Sequence, residues 1–211
     1  MERMTFMVAE LTTFLSQPTR EAALTGLFAS GTRPAVLRLF MLDPTRAYYQ
    51  RQIEGAIGIP IRAIQRELER LTTVGLLYRR VEGNRTYYHV DTQFPLFPEL
   101  RNMVLKTASD EDRLRGQVAT DESVRLAFLL PEERQALVVT QGGELPSFAV
   151  PNAYDVRVWS VEAFSRALLE DPAELAPFLQ YGVDLLGRRE DVVWRRIEAA
   201  GYTVRKGKGV A

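Results

Sequence analysis

The chain has 211 residues, and its 27 Lys and Arg are balanced by 27 Asp and Glu. At roughly 100–200 residues per domain this is one large domain or two small ones, and 46% apolar with 26% charged residues excludes intrinsic disorder, collagen and coiled-coil rods. The absence of cysteine excludes disulfides, zinc ribbons, thiolate metal sensors and cysteine nucleophiles, while the single histidine, His89, excludes His-rich metal sites and weakens any Ser–His–Asp reading.

The N-terminal stretch MERMTFMVAELTTFL is acidic and interrupted, without a basic n-region or a cleavage signature. No apolar run reaches the ~18–20 residues that span a bilayer. Both features predict a cytoplasmic protein with no membrane partner. An amphipathic helix is expected over 4–16, with Phe6, Met7, Leu11, Phe14 and Leu15 on one side. A second is expected over 19–29, and Ser30-Gly31-Thr32 breaks it. Thr32 is placed to cap a third helix that holds Arg33-Pro34 in its first turn and ends at Asp43-Pro44.

Ala47-Tyr48-Tyr49 reads as a short extended piece, followed by a helix over 50–57 and a tight turn, Gly58-Ile59-Pro60. The next helix covers 61–74, with Ile61, Ile64, Leu68 and Leu71 at helical spacing and Gly75 placed to end it. Two β-rich runs, 76–81 and 86–90, flank Glu82-Gly83-Asn84-Arg85, a hairpin signal. A helix over 98–107 completes the first half.

The acidic segment Ser109-Asp110-Glu111-Asp112 marks a boundary between residues 1–107 and 108–211. Beyond it the pattern gives a helix to about 118, strands over 124–130 and 135–140, a short strand over 148–150 and a strand over 156–159. Helices are expected over 161–170, 172–181 and 188–200, and a frayed basic tail from Arg205 to Gly209. Phe164, Leu168, Leu169, Phe178, Leu179, Trp159 and Trp194 have the spacing of core or dimer contacts. The fold class expected is α+β, an N-terminal helical unit with a hairpin plus a small C-terminal α/β domain.

The neutral total conceals a split. Residues 1–107 hold 14 basic and 10 acidic side chains, a net of +4; residues 108–211 hold 13 and 17, a net of −4. Of the basic residues 24 are Arg and three are Lys (Lys106, Lys206, Lys208). Such asymmetry suggests a polyanion-binding half joined to something else, and Arg supplies rigid forks for phosphates and guanine edges.

The order helix, strand-like piece, helix, turn, helix, hairpin is the layout of a winged helix-turn-helix. The stretches LFASGTRPAVLRLFML, YYQRQIEGAIGIPIRAIQRELERLTTVGLLYRRVEGNRTYYHV and FPLFPELRNMVLKT resemble the arsenic-repressor-like winged-helix regulators, above all the subgroup followed by a small nucleotidyltransferase-like domain. Two features depart from that family. Ile59-Pro60 stands where its recognition helix usually has a Ser or Thr cap, and its cysteine metal ligands are absent, so no metal or cofactor is expected.

The residues support the same reading without the name. On helix 61–74 the face away from Ile64, Leu68 and Leu71 carries Arg62, Ala63, Gln65, Arg66 and Arg70. Arg pairs with guanine O6 and N7, and Gln with adenine N6 and N7. The wing, 79–86, offers Arg79, Arg80, Asn84 and Arg85 to phosphates or the minor groove, and Arg33, Arg51 and Gln52 are candidate backbone contacts at helix starts. Each has a plainer reading. Arg66 and Arg70 have Glu67 and Glu69 beside them for surface ion pairs worth ~0–1 kcal/mol. Tyr48-Tyr49 and Tyr87-Tyr88 read as one buried and one exposed strand residue each, and His89 as a strand residue.

Nucleotidyl transfer needs carboxylates that hold a divalent metal and a Gly-Ser loop whose amides hold the phosphates. Here the strand VRLAFLL runs directly into PEER and QALVVTQG, with no Gly-Ser and no helix. By resemblance Glu133 and Gln135 sit where two aspartates belong, and Asp155 where a third would be. The second half therefore resembles a shortened relative without catalysis, or else an unrelated dimerisation or sensing domain. The function expected is a homodimeric, sequence-specific regulator of double-stranded DNA with a palindromic operator and no assigned effector. A nucleotidyltransferase or antitoxin acting on a partner, and a low-specificity architectural DNA-binding protein, are the alternatives.

Overall fold

The computed structural model describes residues 20–144, 153–207 and 210. The helix expected over 4–16 and the strand over 148–150 lie outside the described residues. The fold is a mixture of helices and sheets. Its elements run α1 (Arg20–Phe28), α2 (Thr32–Leu42), β1 (Tyr48–Tyr49), α3 (Gln50–Ile57), α4 (Ile61–Thr73), β2 (Leu77–Glu82), β3 (Arg85–Val90), α5 (Phe97–Thr107) and α6 (Asp110–Thr120). The chain continues through β4 (Val124–Leu130), β5 (Gln135–Thr140), β6 (Asp155–Ser160), α7 (Val161–Glu170), a 3-10 turn (Pro172–Glu174), α8 (Ala176–Gln180), β7 (Val183–Asp184), α9 (Val192–Ala199) and β8 (Arg205–Lys206).

The first core forms around α2, whose Val36, Leu37, Leu39, Phe40, Met41 and Leu42 are all buried. Ile53, Ile64, Leu68, Tyr48, Tyr88 and Val104 from α3, α4, the small sheet and α5 close over it. The cap of α2 differs from the sequence expectation. Thr32 is already helical, and the Ser30 hydroxyl accepts from the Arg33 amide at 3.4 Å. The start of α4 also departs, and the reason is visible. Pro60 occupies the cap position, and the Glu54 carboxylate on α3 accepts from the Ile61 amide at 3.1 Å, doing from the neighbouring helix what a Ser or Thr cap does locally. Gly75, at φ 83°, ends α4, with Leu76 donating to the Leu71 carbonyl and Gly75 to that of Thr72, the Schellman pattern.

Strands β2 and β3 pair antiparallel from Leu77↔Val90 to Glu82↔Arg85, and β1 adds to β3, giving the order β1-β3-β2. Only Gly83 and Asn84 lie in the turn. Gly83, at φ 58°, takes the first central position, the place of glycine in a type II′ turn.

The acidic boundary is no loose linker. Ser109 caps α6 by accepting from the Asp112 amide, and the three acidic residues of the first turn sit at the positive end of the helix. Asp112 then receives Arg38 of α2 at 2.9 Å, and Gly116 lets α6 approach α2 so closely that an added Cβ would meet Leu42 at 3.0 Å. Helix α6 thus packs on the first core while its Leu114 and Val118 belong to a cluster of the second half.

The second sheet has the order β6-β5-β4-β7-β8, with β4 antiparallel to β5 and β7, β5 parallel to β6, and β7 parallel to β8. Phe164, Leu168, Phe178, Leu179, Trp194 and Ile197 cover one face, against Leu126, Phe128, Leu137 and Val139. Leu114, Val118, Leu185 and Leu186 pack with Ala127, Leu129, Ala136 and Val138 on the other. A strand buried on both faces reads as a near-continuous apolar run, as residues 126–130 of β4 do. Leu169, expected as a core or dimer contact, is 80% exposed and so not part of this core.

Of the tail expected to fray, residues 205–207 are tied to the sheet, while 208 and 209 lie outside the described residues. Arg205 and Lys206 pair with Val183 and Asp184, and the Gly207 amide donates to the Asp184 carbonyl at 2.8 Å. Burial pushes the Asp184 carboxyl above its usual range, against the two backbone donors, Leu186 and Gly187, that its Oδ1 accepts at 3.0 Å. Strand β7 itself was absent from the sequence reading. Among the described residues no helix is long and apolar enough to cross a membrane.

Candidate nucleic-acid interface

Helices α3 and α4 are joined by Gly58-Ile59-Pro60 and pack on each other, and the start of α3 meets the turn of the β2–β3 hairpin. Helix α4 buries Ile64, Leu68 and Leu71, which leaves Arg62 and Arg66 exposed. Neither has a hydrogen-bond or ion-pair partner among the described residues, and the same holds for the exposed Arg51 at the start of α3 and Arg79 on β2. Ala63 is half-buried beside Arg62. Gln65 donates to the Gln50 side chain at 3.1 Å, which links the start of α3 to the middle of α4.

Other predicted contacts are tied within the fold. Glu67, on the face of α4 that also bears Ile64, is only 4% exposed, and it accepts Arg33 from α2 at 2.8 Å and Arg70 at 2.8 Å. Burial raises its carboxyl, and the two guanidiniums outweigh that and hold it below its usual range. Arg33 and Arg70 therefore serve a buried carboxylate, although Arg70 is still 65% exposed along its side chain. The plainer reading of Arg66 and Arg70, surface ion pairs with Glu67 and Glu69, holds in part: Arg70 does pair with Glu67, but that carboxylate is buried, and Arg66 has no partner among the described residues. Gln52 accepts from the Tyr49 amide at 3.1 Å and so closes the first turn of α3. Arg80 pairs with Glu82 on the exposed side of the hairpin.

The hairpin turn and the start of α3 enclose a polar groove of about 440 Å³, lined by Tyr49, Gln50, Arg51, Asn84, Arg85 and Thr86. Arg85 lies over the Tyr49 ring at 4.9 Å, and its bond to Tyr87 helps hold it charged. The groove brings together three of the predicted contacts, Arg51, Asn84 and Arg85, from segments 33 residues apart in sequence or more. The tyrosine pairs divide as the sequence suggests: Tyr48 and Tyr88 are buried, Tyr49 and Tyr87 face outward. His89 is a strand residue stacked on Tyr78, with burial holding its pKa below the usual value.

In the second half, β4 and β5 form a direct hairpin through Pro131–Arg134, with no helix between them. Gln135 pairs in register with Asp155, and Glu133 is exposed in the turn beside them. Among the described residues no group of three His, Cys, Asp or Glu side chains is placed to hold a metal ion. The chain matches no family model, no curated protein and no solved structure.

Proposed function

We propose that the chain is a sequence-specific double-stranded DNA-binding transcription regulator built on a winged helix-turn-helix, with α4 in the major groove and the β2–β3 hairpin as its wing. The observation that carries this reading is the set of exposed guanidiniums without a partner among the described residues, Arg51, Arg62, Arg66 and Arg79, on α3, α4 and the β2–β3 hairpin. An exposed arginine without an internal partner adds little to stability, but its fork matches guanine edges and phosphates. At 13 residues α4 is ~20 Å long, enough to lie along a groove ~12 Å wide. The groove beside the wing turn supplies Arg51 and Arg85 for the flanking backbone, where phosphate contacts fix register.

A homodimer on a palindromic operator fits this arrangement. Leu27 on α1 and Leu96 before α5 are 75% and 57% exposed, and these two helices pack together, which makes them the candidate dimer elements. The second half is read as a shortened relative of the small nucleotidyltransferases without catalysis. Its direct β4–β5 hairpin leaves no loop to cradle a triphosphate, and Gln135 supplies no anionic ligand.

Selection from a pool of random duplexes tests the reading. A recovered sequence motif with two inverted half-sites about one helical turn apart is expected. Retention of the pool without enrichment would favour a low-specificity architectural role and contradict the regulator.

A further inference from the structure

The outer face of the β1–β3–β2 sheet carries a second, different chemistry. Register places Tyr78 opposite His89, Arg80 opposite Tyr87, Glu82 opposite Arg85, and Tyr49 opposite Tyr87, all on the side away from the buried Leu77, Tyr88 and Val90. The rings meet in pairs. Tyr78 and His89 stack with centroids 5.0 Å apart and planes 4° from parallel, and Tyr49 meets Tyr87 edge to face at 5.7 Å. Tyr78 is 51% exposed. Cross-strand aromatic pairs also stabilise a hairpin, by ~0.2–1 kcal/mol each. That role does not require Arg80 and Arg85 among the rings, nor a polar groove opening at Tyr49.

We propose that this face binds single-stranded DNA, with unstacked bases against Tyr49, Tyr87, Tyr78 and His89 and phosphates on Arg51, Arg80 and Arg85. Two physical points select the occupant. A duplex shows proteins its base edges, whereas an exposed ring needs a base plane, which only an unstacked strand offers. Interleaved guanidiniums, net positive even with Glu82 counted, complement its phosphates. The choice of DNA rests on the duplex-binding reading, since the Gln50–Gln65 bond makes the groove contiguous with α4 and puts a strand parted from that duplex within reach.

The test uses the full chain and a fluorescent dT oligonucleotide of about 12 nucleotides, within the ~4–16 that such surfaces cover. An abasic strand of equal length keeps the phosphates and removes the bases. The wild type should bind the dT strand at least about tenfold more tightly than the abasic one. Tyr78→Ala and Tyr87→Ala should each weaken the dT strand about tenfold, and Tyr78→Phe should retain binding because the ring is kept. Circular dichroism melts of the same variants show that the hairpin remains folded. Equal affinity for the dT and abasic strands overturns the proposal, and so does a Tyr78→Ala variant that is folded and binds normally. Tighter binding of an oligo-rU strand overturns the assignment to DNA. Oligonucleotide binding that survives with no duplex binding at all would contradict the regulator reading while supporting this one.

Discussion

In the first half of the molecule Arg51, Arg62, Arg66 and Arg79 stand in solvent without a partner among the described residues. In the second half Arg134, Arg157 and Arg195 are likewise exposed without a side-chain partner among the described residues, but several other arginines hold the fold. Arg188 donates to the Val124 and Ala119 carbonyls, Arg189 to that of Val204 at 2.8 Å, and Arg205 to that of Tyr181 at 3.1 Å. Arg125 pairs with Asp191 at 2.7 Å, and Arg196 donates to Ser165 at 2.7 Å. The net charges of +4 and −4 do not capture this contrast. A guanidinium that satisfies an internal carbonyl is unavailable to a phosphate, so the proposed function draws on the arginines of α3, α4 and the hairpin that have no partner among the described residues, rather than on the total charge. Arg46 and Arg101 show that position matters within the first half too. At the junction Arg46 donates to the Leu186 carbonyl at 2.7 Å, and Arg101 to that of Gly116 at 3.0 Å.

Substitutions should separate these two uses. The largest effect is expected from Trp194→Ala. Its ring is fully buried, stacks on Phe128 at 5.9 Å and lies under Arg189 at 3.8 Å. Its loss should cost about 3–5 kcal/mol of stability in a denaturant titration. Arg188→Ala should cost about 2 kcal/mol, because it leaves two carbonyls unpaired, while DNA affinity below the melting transition stays unchanged. A fall in affinity as large as the fall in stability would erase the contrast.

Glu67→Gln probes the exception, a carboxylate that turns two first-half arginines inward. It should lower stability by about 1–2 kcal/mol at neutral pH. The sign with pH follows from the depressed carboxyl. Its contribution is fully present above the unfolded value of 4.5 and is lost as pH falls through the lower folded value. The wild type should therefore lose stability over that acid range, and Glu67→Gln should lose less; parallel melting curves of the two proteins across it would contradict the assignment. Arg80→Ala, which breaks only the exposed pair with Glu82, should shift stability by no more than about 0.5 kcal/mol.

Much of the fold is legible in the sequence where local signals agree. Helix Gln50–Ile57 and strands Val124–Leu130 and Gln135–Thr140 match their expected bounds, and helix Thr32–Leu42 its expected end, because apolar period and turn residues coincide there. Strands β7 and β8 are two residues each, too short to alternate, and their pairing joins positions more than twenty residues apart. Glu67 escaped for a related reason. It lies at the i+3 position from Ile64, on the buried stripe, but its polarity removed it from the apolar pattern, and its partner Arg33 is 34 residues away. The Glu54 cap of α4 was equally hidden, since the residue that does the capping belongs to the preceding helix. Of the site, the exposed arginines of α4 could be read from helical spacing, whereas the groove at Tyr49 and Asn84 exists only once β1 and the hairpin turn meet.

The most direct test of the central claim is a titration of the wild type, Arg62→Ala, Arg66→Ala and Arg188→Ala against the selected duplex at several salt concentrations. A DNA-reading α4 should give a steep negative salt slope for the wild type, a loss of about 1–3 kcal/mol for Arg62→Ala and for Arg66→Ala, and wild-type affinity for Arg188→Ala. Equal affinity of all four proteins for that duplex would contradict that claim.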